Sequence, residues 1–356
     1  FEFQLTDDKI QYNVTNSISL KVSKENFQKL KKISEMVTSV FLKDSNGKTD
    51  GKSFALIEFD SVKYETLFLE SQKFKEKIFL YNRHRPIIYN SKSFKILKNS
   101  HIIPHITSKN ASKQSEYDID LTKNKILKDS QIFFQNDEFF NSFFKFQGVS
   151  FWQSLKPFLI HFFNKKILDS ISEIDHAKKF LLGKTPSVVL LLSESGVTEQ
   201  IILKLSEKFS IQTVLLQHGL MLDNPSAETY NKILGGNLPV NSTKFFAWGN
   251  SSADYILQSN NYNDKIETVG SPNIDRIFLQ RKNIDKKSNT ILLLATGPRD
   301  QQFVGHNVNE WNKYENLIKK ISSVVAKHNL DLIIKRHPDM AESNFSRNFS
   351  QEFPNV

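Results

Sequence analysis

There is no cysteine anywhere in the 356 residues. That excludes a disulfide framework, a thiolate metal site and a cysteine nucleophile. No apolar run is long enough to span a bilayer, and no secretory signal is visible, so the expected location is cytoplasmic. No repeat recurs at the periods of solenoids or propellers. There is also no basic stripe and no nucleic-acid-reading motif, although the formal charge is +10. Lysine is scattered along nearly every segment with acids between. Such diffuse basicity suits an anionic ligand such as a sugar nucleotide, or an anionic membrane face. AT-rich codon bias accounts for it equally well. The chain opens on Phe1 rather than methionine and stops at Val356 without a closing helix pattern, so a trimmed chain is expected.

What is present is alternation. Hydrophobic residues make up 39% of the chain, enough for a sizeable core, and the length suits two domains. Ser53–Glu58 and Lys77–Tyr81 read as strands around a helix over Val62–Phe74. Residues 98–130 are polar and weakly periodic and read as loop or short elements. Ser187–Leu192, then the stripe Val197, Ile201, Leu205, Phe209, then Ile211–Leu216 read as strand, helix, strand, a right-handed crossover in a parallel sheet. Lys244–Trp248 and Ile266–Val269 continue the series. Residues 281–289 are charged and polar and read as a linker. Thr290–Ala295, a helix through Trp311–Val325, and Leu330–Ile334 form a second β-α-β unit. The expected class is α/β with two Rossmann-like domains, 1–280 and 288–356, the second one truncated and leaving apolar surface exposed over 290–335. Near 131–165 lies a helical insertion dense in phenylalanine. It reads as a helical pair packed on the sheet, or as an amphipathic element edged by Lys145, Lys156, Lys165 and Lys166, with Gly148 and Pro157 as breaks or helix starts.

The organising motif is Gln217-His218-Gly219, directly after the apolar run Ile211–Leu216. Open α/β sheets place their chemistry beyond the carboxyl ends of strands. His218 there is a titratable group with an ordinary pKa near ~6.5, close to working pH for a general base. Equally, it is a histidine that hydrogen-bonds the next loop. Gly219 permits a sharp turn or a close ligand approach. Arg83 and Arg85, in the loop after Lys77–Tyr81, can hold an acceptor's phosphate or carboxylate, or be solvated.

The order of motifs resembles the GT-B superfamily over roughly residues 185–340. It runs through Gln217-His218-Gly219, Ala247-Trp248-Gly249, Val269-Gly270-Ser271-Pro272-Asn273-Ile274-Asp275, Thr296-Gly297 and Lys335-Arg336-His337-Pro338. It looks most like capsule and surface-polysaccharide glycosyltransferases and the CDP-glycerol glycerophosphotransferases. The resemblance implies two domains facing across a cleft, acceptor on the first and nucleotide donor on the second. It makes His218 the base and Arg336-His337 a clamp for donor phosphate. The chain ends 18 residues after Pro338, where such a domain needs further strands.

The chemistry of transfer assigns further residues. Thr296 and Gly297 can offer backbone N–H groups to phosphate, with Arg299 adding charge. Glu194, beyond the neighbouring strand, can orient His218, serve as base itself, or merely cap a helix. No metal is expected. Asp118-Ile-Asp120 lies in the irregular stretch, and Pro104 in His101-Ile-Ile-Pro-His105 argues against a helix that would align both rings. No cofactor is expected beyond the nucleotide-activated donor. The expected partners are that donor and a polysaccharide or lipid-linked acceptor, with peripheral membrane association and no nucleic acid. Two other readings stand beside it. One is a sugar-nucleotide 2-epimerase, although Thr296-Gly-Pro-Arg-Asp300 replaces its usual His-Arg-Arg-x-Glu-Asn run. The other is a non-catalytic carbohydrate- or nucleic-acid-binding protein.

Overall fold

The computed structural model describes residues 9–15, 18–23, 26, 29, 31, 33, 35, 51–106, 113–219, 236–258, 262, 264–272, 274, 277–278, 289–295 and 308–336. The chain divides into two compact units, Phe1–Leu279 and Gln280–Val356.

In the first unit a hairpin of β1 (Lys9–Thr15) and β2 (Ile18–Ser23) precedes the main sheet. The sheet then builds from β3 (Ser53–Ile57), α1 (Glu65–Glu70), β4 (Lys77–Tyr81), α2 (Ser91–Lys98) and β5 (Ile102–Pro104). A helical insertion follows: α3 (Lys113–Phe134), α4 (Asp137–Phe143), the hairpin β6 (Lys145–Phe146) and β7 (Val149–Ser150), α5 (Trp152–Phe162) and α6 (Leu168–Lys184). The sheet resumes with β8 (Val188–Leu191), α7 (Val197–Lys208), β9 (Gln212–Leu216), β10 (Lys244–Ala247), α8 (Asn250–Leu257) and β11 (Ile266–Thr268).

Seven strands pair in the order β11-β10-β9-β8-β3-β4-β5, and every pairing is parallel. Both faces are covered, which is why the strands read as continuous apolar runs. Alternation assigns the faces. Ala55, Ile57, Phe79, Val189, Leu191 and Leu215 join one core with α6, α7 and α8, while Leu56, Ile78, Leu80 and Leu216 join another with Phe59, Phe68 and Ile96. The class is α/β around a parallel sheet.

Four expectations need correction. The helix read over Val62–Phe74 starts only at Glu65, where Asp60 Oδ1 accepts the N–H groups of Val62 (2.8 Å) and Lys63 (3.0 Å) and 61–64 form a turn. Residues 113–130, read as irregular, belong to the 22-residue helix α3, which runs on to Phe134. It contains neither glycine nor proline, is rich in straight-chain residues, and leans on α6. Pro157 does not break a helix but lies inside α5, which runs through a π turn (Phe163–Ile167) into α6. The aromatic insertion does not pack on the sheet as a helical pair. Phe134, Phe140 and Trp152 are buried on one another, with Phe144, Leu159, Ile160 and Phe163 around them, as a third core.

The second unit holds β12 (Thr290–Ala295), α9 (Val308–Lys327) and β13 (Asp331–Arg336), the two strands parallel in register from Thr290↔Asp331 to Ala295↔Arg336. Leu292, Leu294, Leu317 and Val324 are each more than half exposed. Among the described residues no helix is long and apolar enough to cross a membrane.

Candidate functional site

Strand order locates a crevice that motif reading does not. From β3 the chain steps to β4 and β5 on one side, then returns through the insertion to β8 on the other side of β3. Connections therefore diverge between β3 and β8, the topological switch point where open α/β sheets take ligands beyond the strands' carboxyl ends. Four loops crest there: Glu58–Asp60 after β3, Asn82–Arg85 after β4, Ser193–Gly196 after β8, and Gln217–Gly219 after β9. Of the residues singled out from the sequence, Arg83, Arg85, Glu194, Gln217, His218 and Gly219 all lie on this edge.

His218 is half-buried, and its ring bonds to the carbonyl of Leu192, at the end of the neighbouring strand. Burial lowers its pKa first, and the Lys63 charge lowers it further, against the opposing effect of that carbonyl. The ring is therefore neutral at neutral pH. With one N–H committed to Leu192, the other ring nitrogen is an acceptor.

Glu194 does not orient His218 or stand ready as a base. Its buried carboxylate accepts three N–H groups: Ser242 N (2.8 Å), Asn241 N (2.9 Å) and Asn241 Nδ2 (3.2 Å). Gly236 presses on the same loop. Its φ is +56°, its carbonyl accepts Glu194 N (2.9 Å), and a Cβ there would run into Ser195 N and Glu194 N. Gln217 is likewise occupied: Oε1 accepts Trp248 N (2.7 Å), while Nε2 donates to Gly219 O (2.9 Å) and Ser252 Oγ (3.0 Å). It ties β9 to the turn before α8 and is not available to an acceptor. Gly219 has no positive φ, and a Cβ on it would meet nothing, so neither turn nor packing requires glycine there.

The arginines are not a free cationic loop. Arg83 Nε bonds Glu173 Oε2 on α6 (2.9 Å). Burial works against the Arg83 charge, but Glu173, Tyr81 and Glu35 together outweigh it and raise the pKa. Glu173 Oε1 accepts the Thr198 hydroxyl (3.0 Å), so that hydroxyl oxygen receives the N–H of His84 Nε2 (2.9 Å). Arg85 sits 3.6 Å from Glu58 Oε2 and 3.9 Å from Asp60 Oδ2, its side chain 44% exposed.

Sequence reading missed Glu58, Lys31, Glu173, Thr198 and Glu199. Glu58 is buried with φ 57°, a costly backbone state for a non-glycine residue. Its Oε1 receives the N–H groups of Arg83 and His84 (the latter at 3.0 Å), and its Oε2 has no hydrogen-bond donor. Buried Lys31 donates to the carbonyls of Asn82 and Arg83, both at 2.8 Å, and pairs with Glu35 at 3.2 Å. Burial lowers its pKa, and Glu35 opposes. Glu199 folds back over Gly196, where a Cβ would strike its carboxylate; burial raises its pKa. The available signal was a carboxylate directly after the apolar strand Ser53–Ile57.

Thr296, Gly297, Arg299 and His337 lie outside the described residues, as do Asp275 and Arg276. Arg336 closes β13, opposite Ala295. His101 and His105 flank the extended strand β5, and His105 packs against the Tyr81 and Phe180 rings, which also touch each other. Among the described residues no cluster of three His, Asp or Glu could hold a metal ion.

No protein-family model matches the chain, and no curated protein matches it. Solved structures do. The S. aureus MnaA–UDP structure aligns at TM-score 0.45 and 12% identity, over 86% of this chain and 66% of that one. The UDP-GlcNAc 2-epimerase of Neisseria meningitidis bound to UDP-GlcNAc aligns at 0.45 and 15%, over 85% and 69%. A glycosyltransferase from Rickettsia africae aligns at 0.37 and 9%, over 82% and 69%. This chain thus spans about two thirds of the length of these proteins. At these scores and identities the likeness assigns neither activity nor substrate.

Proposed function

We propose that this chain is an enzyme of nucleotide-activated sugars, a glycosyltransferase or glycerophosphotransferase-like enzyme with His218 as general base. The acceptor is a surface polysaccharide or a glycolipid. One observation carries the reading: His218 stands on the carboxyl edge of a parallel sheet, neutral through burial, with one ring nitrogen left to accept. An acceptor hydroxyl gives its proton to that nitrogen as its oxygen attacks the donor. The bond from the transferred group to the nucleoside phosphate breaks, and the imidazolium later releases the proton to water. The developing phosphate charge falls to Thr296, Gly297, Arg299, Arg336 and His337, whose backbone N–H groups and cations need no metal.

A sugar-nucleotide 2-epimerase is the second reading. Glu199, with its pKa raised by burial, sits in the first turn of α7, just past the loop after β8 and one strand from the β9 loop that carries His218. That gives two proton-exchanging groups at the carboxyl ends of adjacent strands, as removal and return of a proton require.

The test is incubation of the protein with UDP-, CDP- and GDP-activated donors, alone and with a saccharide acceptor. Nucleotide release that depends on acceptor supports transfer. Epimer formation from donor alone replaces it with the second reading, and no turnover of any donor overturns both. His218→Ala should lower turnover by about 10²–10⁴-fold.

A further inference from the structure

The aromatic insertion has a packed inside and an unpacked outside. Inside, Trp152 stacks on Phe140 at 4.2 Å, and Asp137 Oδ1 accepts both Trp152 Nε1 (2.6 Å) and Lys156 Nζ (2.8 Å). The module is therefore well fixed, and its exposed rings are not the result of a missing core. Outside, Phe139 and Phe143 stack one turn apart on α4, and Phe158 and Phe162 stack one turn apart on α5. All four are about half exposed or more. Between the helices, Gln147 (φ 47°) and Gly148 (φ 85°) make a two-residue turn that brings Phe146 opposite Val149. These two are the most exposed large apolar side chains described, at 71% and 72%.

We propose that this face docks on an anionic lipid bilayer, with the Phe146–Val149 tip entering the headgroup layer. Three features select lipid over a protein partner. The apolar maximum is a narrow turn tip, a convex shape that inserts rather than receives. Phenylalanine and lysine are interleaved: exposed Lys145 precedes Phe146, and exposed Lys165 and Lys166 follow Phe162 and Phe163. Lysine heads beside apolar rings complement anionic headgroups while their stems lie along the acyl boundary. Asp137, whose carboxylate accepts Trp152 Nε1, is already paired with Lys156. Docking of this kind is peripheral, and two signals, apolar and basic, are what stable attachment takes.

The experiment is co-sedimentation with vesicles of equal phosphatidylglycerol and phosphatidylcholine, against vesicles of phosphatidylcholine alone. It needs neither donor nor acceptor, so its outcome is separate from that of the enzymatic reading. The protein should partition onto the anionic vesicles at least tenfold better, and less so in high salt. Lys145→Gln with Lys166→Gln should weaken partition about 25-fold, at roughly fivefold per lysine. Phe146→Ser with Val149→Ser should weaken it at least as much, with an unchanged melting temperature because both side chains are exposed. Failure to bind anionic vesicles, or wild-type binding by the Phe146/Val149 variant, overturns the proposal. A concentration-dependent dimer that this variant dissolves, without vesicle binding, assigns the face to a second copy and overturns it too.

Discussion

Replacing Glu194 with alanine separates a structural carboxylate from a catalytic one. The side chain is 4% exposed and bonds N–H groups of residues 47 and 48 positions away, so it pins the loop after β8 to the start of β10. Ser242, one of the donors, is fully buried. Its N–H loses its acceptor out of reach of water, at about 1–3 kcal/mol. The bonds from Asn241, a more exposed residue, cost less, but each is charge-assisted. Together with the small void left behind, Glu194→Ala should destabilise the first unit by roughly 2–4 kcal/mol, which lowers the melting temperature by about 5–12 °C at this size. Glu194→Gln keeps the shape but turns an NH₂ toward one of these donors and should cost about half as much. Urea and thermal unfolding followed by circular dichroism read both. If Glu194→Ala melts within about 1 °C of the wild type yet loses activity, the carboxylate is free at the moment of reaction and the structural assignment fails.

Gly236→Ala should destabilise by about 2 kcal/mol or more, since φ +56° is strained for alanine and its Cβ meets backbone atoms that cannot yield; denaturant midpoints check it. His105, pushed down to about 4 by burial and then by Lys184, binds fewer protons folded than unfolded. Stability is therefore full above about pH 6.5 and falls toward pH 4, by up to about 3 kcal/mol. His105→Phe should flatten that slope in melts taken from pH 7 to 4. His218 is shifted the same way, so the acidic limb of turnover should lie below the ordinary histidine range, and a limb above it would contradict a buried neutral base.

The central strands were legible because both faces are buried. Val188–Leu191 and Gln212–Leu216 are apolar runs bounded by loop residues, and the sheet holds them as expected. α3 was not legible: its stabilisation comes from lying on α6, and its sequence shows little apolar periodicity of its own. The turn at 61–64 was hidden because it is held by the Asp60 side chain, which takes the N–H groups of Val62 and Lys63 and leaves the apolar pattern unchanged. The edge residues were found by position, yet position cannot distinguish a working carboxylate from a tied one. Glu194 and Gln217 differ from catalytic groups only in donors more than 30 residues away, at Asn241, Ser242 and Trp248.

Strand order and side-chain occupancy together narrow what this sheet edge can do. The switch point lies between β3 and β8, and His218 follows β9, one strand further on. Between them the polar groups are mostly occupied. Arg83 is bound to Glu173, Lys31 to two carbonyls and Glu35, Glu194 to the 241–242 turn, and Gln217 to Trp248 and Ser252. What remains is the ring of His218, a carboxyl on Glu199 whose pKa burial raises, and the loosely paired Arg85. Such a set suits moving a proton and is poorly suited to neutralising a diphosphate, because the buried cations of this edge are already matched by carboxylates and carbonyls. An enzyme of nucleotide-activated donors built on this edge therefore needs phosphate-binding groups other than Arg83 and Lys31, whose charges are already matched.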